Sequence, residues 1–233
     1  MRKQVKVLFL SHWVWLFLLF LPTSGVAQGF FWGHSGYVMM GPSQLSLPGM
    51  NQFLEKQGYP LMNERPFSME LGFSVYRQNW VMGATMNNFM SAQSRFLNSN
   101  QALVSLNYQY INLHIGHILF RKDVDFAVYP TVGIAGGGAV LKYQPLGTRF
   151  PQNYWTAGAF VNGAINFSWF KPISDAPIQR IHIGLSVGYN RSLESITNSW
   201  RINNLAPDQF IPVEPTGPYI KLIFGMGKVR RRY

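Results

Sequence analysis

The chain contains no cysteine. This excludes a disulfide framework, a thiolate metal site and the lipid-bearing cysteine of a bacterial lipoprotein. Charge is scarce as well. Asp, Glu, Lys and Arg make up only 12% of 233 residues, about half the share usual in soluble domains. Acidic residues are the rarest class, 9 against 20 basic. Beyond residue 27 no apolar run approaches the roughly 20 residues a membrane-crossing helix needs. Recognisable chemistry is missing too. Gly136-Gly137-Gly138 is not followed by a helix pattern, so it is no phosphate cradle. His114-x-x-His117 would point to opposite faces of a strand and cannot form a metal site, so no metal and no cofactor are expected. The basic residues gather on no helix face and in no RNA-binding signature, which argues against nucleic acid.

What remains is distinctive. Aromatics reach 15%, glycines number 22, and mean hydropathy is near zero despite the low charge. The polar load therefore falls on Asn, Gln, Ser and Thr. An apolar outer wall around a neutral polar lumen has that composition; a secreted β-sandwich is the other architecture it allows. The N-terminus supplies an export route. Arg2, Lys3 and Lys6 precede an apolar stretch over residues 7–21, and Gly25-Val26-Ala27 offers small residues for cleavage between Ala27 and Gln28. Residues 1–27 are read as a signal peptide, with an uncleaved anchor as the alternative, and residues 28–233 as one domain. Removing the signal lowers the net charge from +11 to +8. That charge favours anionic lipid head groups and lipopolysaccharide.

The region around residues 102–143 organises the pattern. Two long β-rich runs are joined by a short polar break, RKDVD. In the second run Val124, Phe126, Val128, Val132 and Ile134 share one face, and Asp125, Ala127, Tyr129, Thr131 and Gly133 share the other. In the first run the apolar parity changes between Tyr110 and Ile111, which predicts a β-bulge there. Pro130 lacks an N–H, so a bulge or a gap in the ladder is expected beside it. The three glycines read as a bend or bulge.

Alternation recurs along the chain and gives eight strands, an even number. Their connections fall at residues 41–66, 77–79, 91–100, 121–123, 144–153, 171–178 and 191–217. Long and short connections alternate, as in outer-membrane barrels with short periplasmic turns and longer extracellular loops. The expected fold is all-β: an eight-stranded antiparallel up-and-down transmembrane barrel with both termini periplasmic. A short helix opening at Ser46-Leu47-Pro48 is expected in the first extracellular loop, with Ser46 as N-cap, Pro48 in its first turn and Gly58 as its stop. That helix reads as a lid over the barrel mouth or as a binding helix.

Parity places Glu70, His114, Asp125, Arg180, His182 and Lys221 inward. An eight-stranded barrel is just wide enough for side chains to fill it. These groups therefore read as a paired interior network, with Glu70 reaching Lys221 or Arg180; a proton or ion path is the alternative. Trp80, Trp155 and Trp169 read as interfacial aromatics. Ser105 and Ser168 point inward and His117 outward, so no Ser/His/acid set is expected on one face and no catalytic residue is assigned.

The mature chain resembles the small outer-membrane β-barrel proteins of Gram-negative cells, the OmpA/OmpX-like and porin-like family. The resemblance rests on Tyr129-Pro130-Thr131-Val132-Gly133-Ile134 with its glycine run, on Gly184 to Tyr189, and on the closing Gly217-Pro218-Tyr219-Ile220-Lys221-Leu222. It implies assembly through a terminal aromatic read by the barrel-assembly machinery, here Tyr233, although the basic run over residues 228–232 departs from that pattern. It also implies a non-enzymatic structural or surface-binding role with an unknown extracellular ligand. A small-solute channel and a lipid-modifying enzyme are the alternatives.

Overall fold

A computed structural model of the chain describes residues 30–56, 59–97, 100–123, 125–144, 152–173, 176–193, 201–202 and 216–232. The signal segment, the Ala27–Gln28 cleavage point, Gly58 and Tyr233 lie outside the described residues, as does most of the last long connection. Eight strands form the wall: β1 (Phe30–Pro42), β2 (Phe67–Gln78), β3 (Trp80–Leu97), β4 (Asn100–His117), β5 (Phe126–Gln144), β6 (Gln152–Ile173), β7 (Ala176–Ser192) and β8 (Gly217–Arg232). Each pairs antiparallel with its sequence neighbour, and β1 pairs with β8 from Phe30↔Arg232 to Met40↔Leu222. The sheet is therefore a closed barrel, and its wall has no free edge. Two short pieces extend it. Phe120–Lys122 pairs with the start of β5, and Arg201–Ile202 pairs with β6. Among the described residues no helix is long and apolar enough to cross a membrane; strands do the spanning.

Period-two alternation decides what each side chain meets. On β2, Phe67, Met69, Leu71, Phe73 and Val75 are exposed, while Ser68, Glu70, Ser74 and Tyr76 are buried. On β8, Ile220, Leu222, Phe224 and Met226 face out over buried Tyr219, Lys221 and Ile223. Exposed apolar side chains next to a buried lysine and glutamate would be an inverted soluble protein. In a bilayer the same arrangement puts the apolar belt against lipid. A strand needs only about 9–11 residues to cross at the usual tilt. All eight strands exceed that length, and β3 to β6, at 18, 18, 19 and 22 residues, are the longest, so this half of the wall rises furthest above the belt.

The raised wall accounts for the parity change on β4. No bulge occurs at Tyr110–Ile111: the register with β3 and β5 runs unbroken through both residues. Even-numbered residues face inward from Val104 to Gly116. Ile111, Leu113 and Ile115 are exposed in the belt, with Asn112 buried behind them. Above the belt the amphipathicity reverses. Val104, Leu106, Tyr108 and Tyr110 are buried inside, and Gln109 is exposed outside. The bulge in this hairpin lies lower. The β4–β5 register ends at Gly116↔Thr131 and resumes one residue out of step at Phe120↔Val128. The expected gap beside Pro130 is found on that side, while its register with β6 is continuous.

Other local expectations change in the same direction. The glycine run is neither bent nor bulged; it stays paired on both sides. Gly137 faces inward, and a Cβ there would run into the backbone at Gln109 and the Cβ of Tyr110, so the close approach of β4 and β5 requires glycine. The loop expected over residues 91–100 is mostly strand, since the β3–β4 ladder continues to Leu97↔Asn100. The turn expected over residues 171–178 is tighter, because β6 runs to Ile173 and β7 begins at Ala176. The basic run near the end is paired strand rather than tail, with Lys228↔His34 and Arg230↔Trp32.

Helix α1 (Pro48–Lys56) lies between β1 and β2. The Leu47 carbonyl accepts the first helical bond from Asn51 N at 2.9 Å, so Leu47 rather than Ser46 is the N-cap residue, and Pro48 takes the first helical position. Tyr59 N donates to Leu54 O at 2.8 Å and closes the C-terminal end.

Belt depth should be measurable by substitution. Leu71→Arg, in the middle of the belt, is expected to cost about 2–4 kcal/mol of folding free energy. Gln109→Arg, outward but above the belt, should cost far less. Urea titration of folding into phospholipid vesicles, followed by the heat-modifiable gel shift, compares the two; equal costs would contradict this placement.

Candidate functional site

The lumen is filled at three levels. At the loop end, the segment carrying α1 folds into the space behind the raised wall. Leu45, Leu47, Met50, Leu54 and Met62 are buried, and they pack in one cluster with Phe89, Val104, Leu106, Tyr108, Tyr110, Leu141 and Phe160 of the wall. Met50 and Leu54 lie four apart, on one helix face, and Glu55 and Lys56 lie exposed on the other side. Backbone bonds tie the segment down: Leu45 N to Glu64 O at 2.8 Å and Gln44 N to Pro218 O at 3.1 Å. Asn51 completes the clasp. Its Oδ1 accepts from Met62 N at 2.8 Å, and its Nδ2 donates to Met62 O at 3.2 Å. The helix is thus a cork inserted into the mouth, and its apolar face is spent on the lumen.

The middle level is built around one carboxylate. Glu70 Oε1 accepts from Lys221 Nζ, from Asn87 Nδ2 and from the Tyr110 hydroxyl, the last at 2.9 Å. Asn87 Nδ2 also lies 2.8 Å from the Tyr110 oxygen. The Lys221 ammonium sits 4.5 Å from the centre of the Tyr219 ring. Lys221 is 1% exposed and Glu70 is 3% exposed. Four strands contribute: β2, β3, β4 and β8. The contact from β8 to β2 passes over β1, where Gly41 presents no side chain; a Cβ there would stand 3.0 Å from Lys221 Cα. A cavity of about 30 Å³ adjoins this network, lined by Asn112, His114, Asn162, Asn190 and Thr131 among others. Thr85 Oγ1, Asn112 Oδ1 and both side-chain polar atoms of Asn190 have no protein partner. A cavity of that size takes about two water molecules, which are the natural partners of such groups.

At the turn end, aromatic rings close the lumen. Tyr76, Tyr129 and Phe170 are buried and meet edge to face, with the Tyr76 and Phe170 centroids 5.5 Å apart. His182 stacks on Phe170 at 4.5 Å. Its Nε2 lies 2.9 Å from Ser168 Oγ and its Nδ1 lies 3.2 Å from Ser35 Oγ. Ser168 continues to the Tyr129 hydroxyl at 3.1 Å. His182 and Ser168 therefore share the inward face, as the parity of each strand places them. No acidic group among the described residues is hydrogen-bonded to His182, and both residues are almost wholly buried.

The six ionisable residues read as interior from sequence do not form one network. Glu70 and Lys221 pair, and Arg180 does not join them. Arg180 Nη1 instead binds Asp125 and donates to Phe170 O at 2.9 Å. Asp125 is not in the lumen. It sits in the turn before β5, with a side chain 66% exposed, because the strand begins only at Phe126 and alternation does not extend into the turn. His114 faces the cavity, its Nε2 3.5 Å from Ser74 Oγ. His117 faces out against Trp80, with centroids 5.1 Å apart. Trp80 and Trp169 are exposed on the outer wall toward the turn end, and Trp169 packs on Phe126 at 4.9 Å. Trp155 pairs through its backbone with Val140; its side chain lies outside the described set. Among the described residues no three His, Asp or Glu groups converge as a metal site would require. Asn87 is inward, as its parity on β3 places it, and the interior partner that the sequence pattern hides is Tyr110. A bulge at Tyr110–Ile111 would turn Tyr110 outward; the unbroken register keeps it in the lumen.

Removing one partner from a buried ion pair typically costs about 3–5 kcal/mol. Glu70→Gln should therefore lower the urea midpoint clearly by leaving Lys221 buried and unpaired. Glu70→Gln with Lys221→Met should recover part of the loss. A double variant no more stable than the single one would show that the two charges are not coupled.

No family model matches the sequence, and no curated protein matches it. Solved structures with a similar chain path include Ail, the attachment invasion locus protein of Yersinia pestis, in complex with the heparin analogue sucrose octasulfate. That match is 12% identical, covers 85% of this chain and 98% of Ail, and has a TM-score of 0.46. A second structure of Ail is 14% identical, with 87% and 99% covered and a TM-score of 0.40. The outer membrane protein OprG from Pseudomonas aeruginosa is 11% identical, with 88% and 97% covered and a TM-score of 0.45. By its own closed strand order, outward apolar belt and packed polar lumen, the chain is an eight-stranded antiparallel transmembrane β-barrel.

Proposed function

We propose that the chain is a non-enzymatic outer-membrane protein with a structural or surface-binding role, and that its lumen does not conduct. The observation that carries this reading is closure at three successive depths: the apolar cork of α1, the Glu70–Lys221 network and the Tyr76–Phe170–His182 stack. An ion crossing the barrel would have to displace a packed helix and break a buried ion pair. The cavity of about 30 Å³ between them is a water pocket in scale, not a pore.

The short turns at Gln78–Asn79 and Asp123–Asp125 lie at the end where β1 begins and β8 stops. Following the usual length rule, that end is periplasmic and the cork is extracellular. Assembly through the barrel-assembly machinery, with Tyr233 as the terminal aromatic, fits the same orientation. Outer-membrane lipids and lipopolysaccharide surround the belt. The Ser168–His182 contact does not favour a lipid-modifying enzyme, since both groups are sealed inside the turn end, away from the lipid-facing wall.

Planar-bilayer recordings are expected to show little steady conductance; large, stable open-channel currents would overturn the closed-lumen reading. Orientation is tested separately. A cysteine at Gln52, exposed on α1, should react with an impermeant maleimide on intact cells, and one at Asn79 should not. The opposite pattern would invert the barrel.

A further inference from the structure

The outer wall near the turn end carries a row of side chains that the lumen does not use. Cross-strand pairing places His117 beside Trp80, Trp80 beside Arg77, Arg77 beside Trp32, and Trp32 beside Arg230. These five residues run over β4, β3, β2, β1 and β8 on the lipid-facing side, alternating aromatic with cationic or imidazole groups. The Arg77 guanidinium lies over the Trp32 ring, 5.4 Å from its centroid. Directly above Trp32 and Arg230 comes the pair His34 and Lys228. Arg77, Lys228, Arg230 and His34 are all exposed.

Among the described residues this face has no compensating charge. β1, β3, β7 and β8 contain no Asp or Glu, and the Glu70 of β2 points inward and is held by Lys221. Across the barrel, by contrast, Arg121 and Lys122 share their turn with Asp123 and Asp125. The cations also lie toward the turn end of their strands. On β2, β3 and β4 the next outward residues, Val75, Met82 and Ile115, are exposed and apolar, so there the row borders the belt. Strands are about 4.8 Å apart, so Arg77 and Arg230 flank Trp32 across roughly 10 Å of wall. A guanidinium held over an indole can still present N–H groups for a bidentate contact with phosphate. Tryptophan itself favours this interface.

We infer that this face, centred on Trp32 with Arg77, Lys228 and Arg230, is a binding site for the phosphodiester head group of an anionic phospholipid. The acyl chains would lie along Phe73, Val75 and Met226. The site goes beyond general lipid contact because the cations of β2 and β8 are gathered on either side of Trp32 with no acid among these strands' outward residues. It rests on the proposed orientation only for the leaflet it faces, the periplasmic one, where phospholipid rather than lipopolysaccharide supplies the phosphate.

The test uses the full mature chain, refolded in detergent and examined by native mass spectrometry with phosphatidylglycerol and phosphatidylcholine of equal chain length. The unaltered barrel should retain phosphatidylglycerol in preference, and R77Q/K228Q/R230Q should bring retention near parity while the heat-modifiable gel shift persists. A surface cation near a head group is worth roughly fivefold in partitioning, so each single variant should lose a graded part of the preference, which keeps the test open if the triple variant folds poorly. Equal retention of the two lipids by the unaltered protein, or an undiminished preference in the variants, would overturn the site. Displacement of phosphatidylglycerol by equimolar lipid A would overturn the phospholipid assignment. Inverted cysteine labelling at Gln52 and Asn79 would instead overturn the orientation and leave the head-group preference intact, so the two failures are distinguishable.

Discussion

Everything in this molecule depends on the pairing of β1 with β8. In hydrocarbon no water is available to satisfy an open sheet edge, and each unpaired N–H or C=O costs several kcal/mol. The eleven consecutive partner pairs from Phe30↔Arg232 to Met40↔Leu222 remove that edge. Closure at eight strands then fixes the interior. The lumen is only as wide as side chains that meet across it, so every inward residue must find a partner inside the barrel.

The three filled levels are three solutions to that packing problem. Where the wall stands inside the belt, inward residues are polar, and a carboxylate and an ammonium face each other through Glu70 and Lys221. Burying either alone would be prohibitive; buried together, with Asn87 and Tyr110 completing the carboxylate's bonds, they are tolerated. At the turn end, rings fill the space, and hydroxyls such as Ser35 and Ser168 absorb the polar atoms of His182 and Tyr129. At the loop end, β3 to β6 continue past the belt, so water replaces lipid outside. The inner surface can then be apolar, provided something apolar covers it, and the segment with Met50 and Leu54 does so.

The outer surface divides in a corresponding way. The belt is apolar and uniform, as lipid chains require, and chemical variety is confined to its borders. The aromatic and cationic row around Trp32 lies on the β1–β8 seam, where closure brings the first and last strands together. Residues at opposite ends of the chain thereby form one face that neither terminal segment could present alone.

The sequence by itself determined the strand count, the antiparallel order and most facings, because period-two alternation with a lipid-facing side leaves little choice of register. Leu71, Ile183 and Leu222 could be placed on the outer wall, and Glu70 and Lys221 on the inner, from parity alone. Only the tertiary structure decided three matters. It set where the belt ends, and so whether the apolar parity change at Tyr110–Ile111 meant a bulge or a change of medium; local pattern is the same in both cases. It chose Asp125 rather than Glu70 for Arg180, since partner choice depends on depth along the barrel axis, which alternation does not encode. It also turned the glycine run from a bend into a paired stretch, because the need for glycine at Gly137 comes from the neighbouring strand at Gln109 and Tyr110, not from its own.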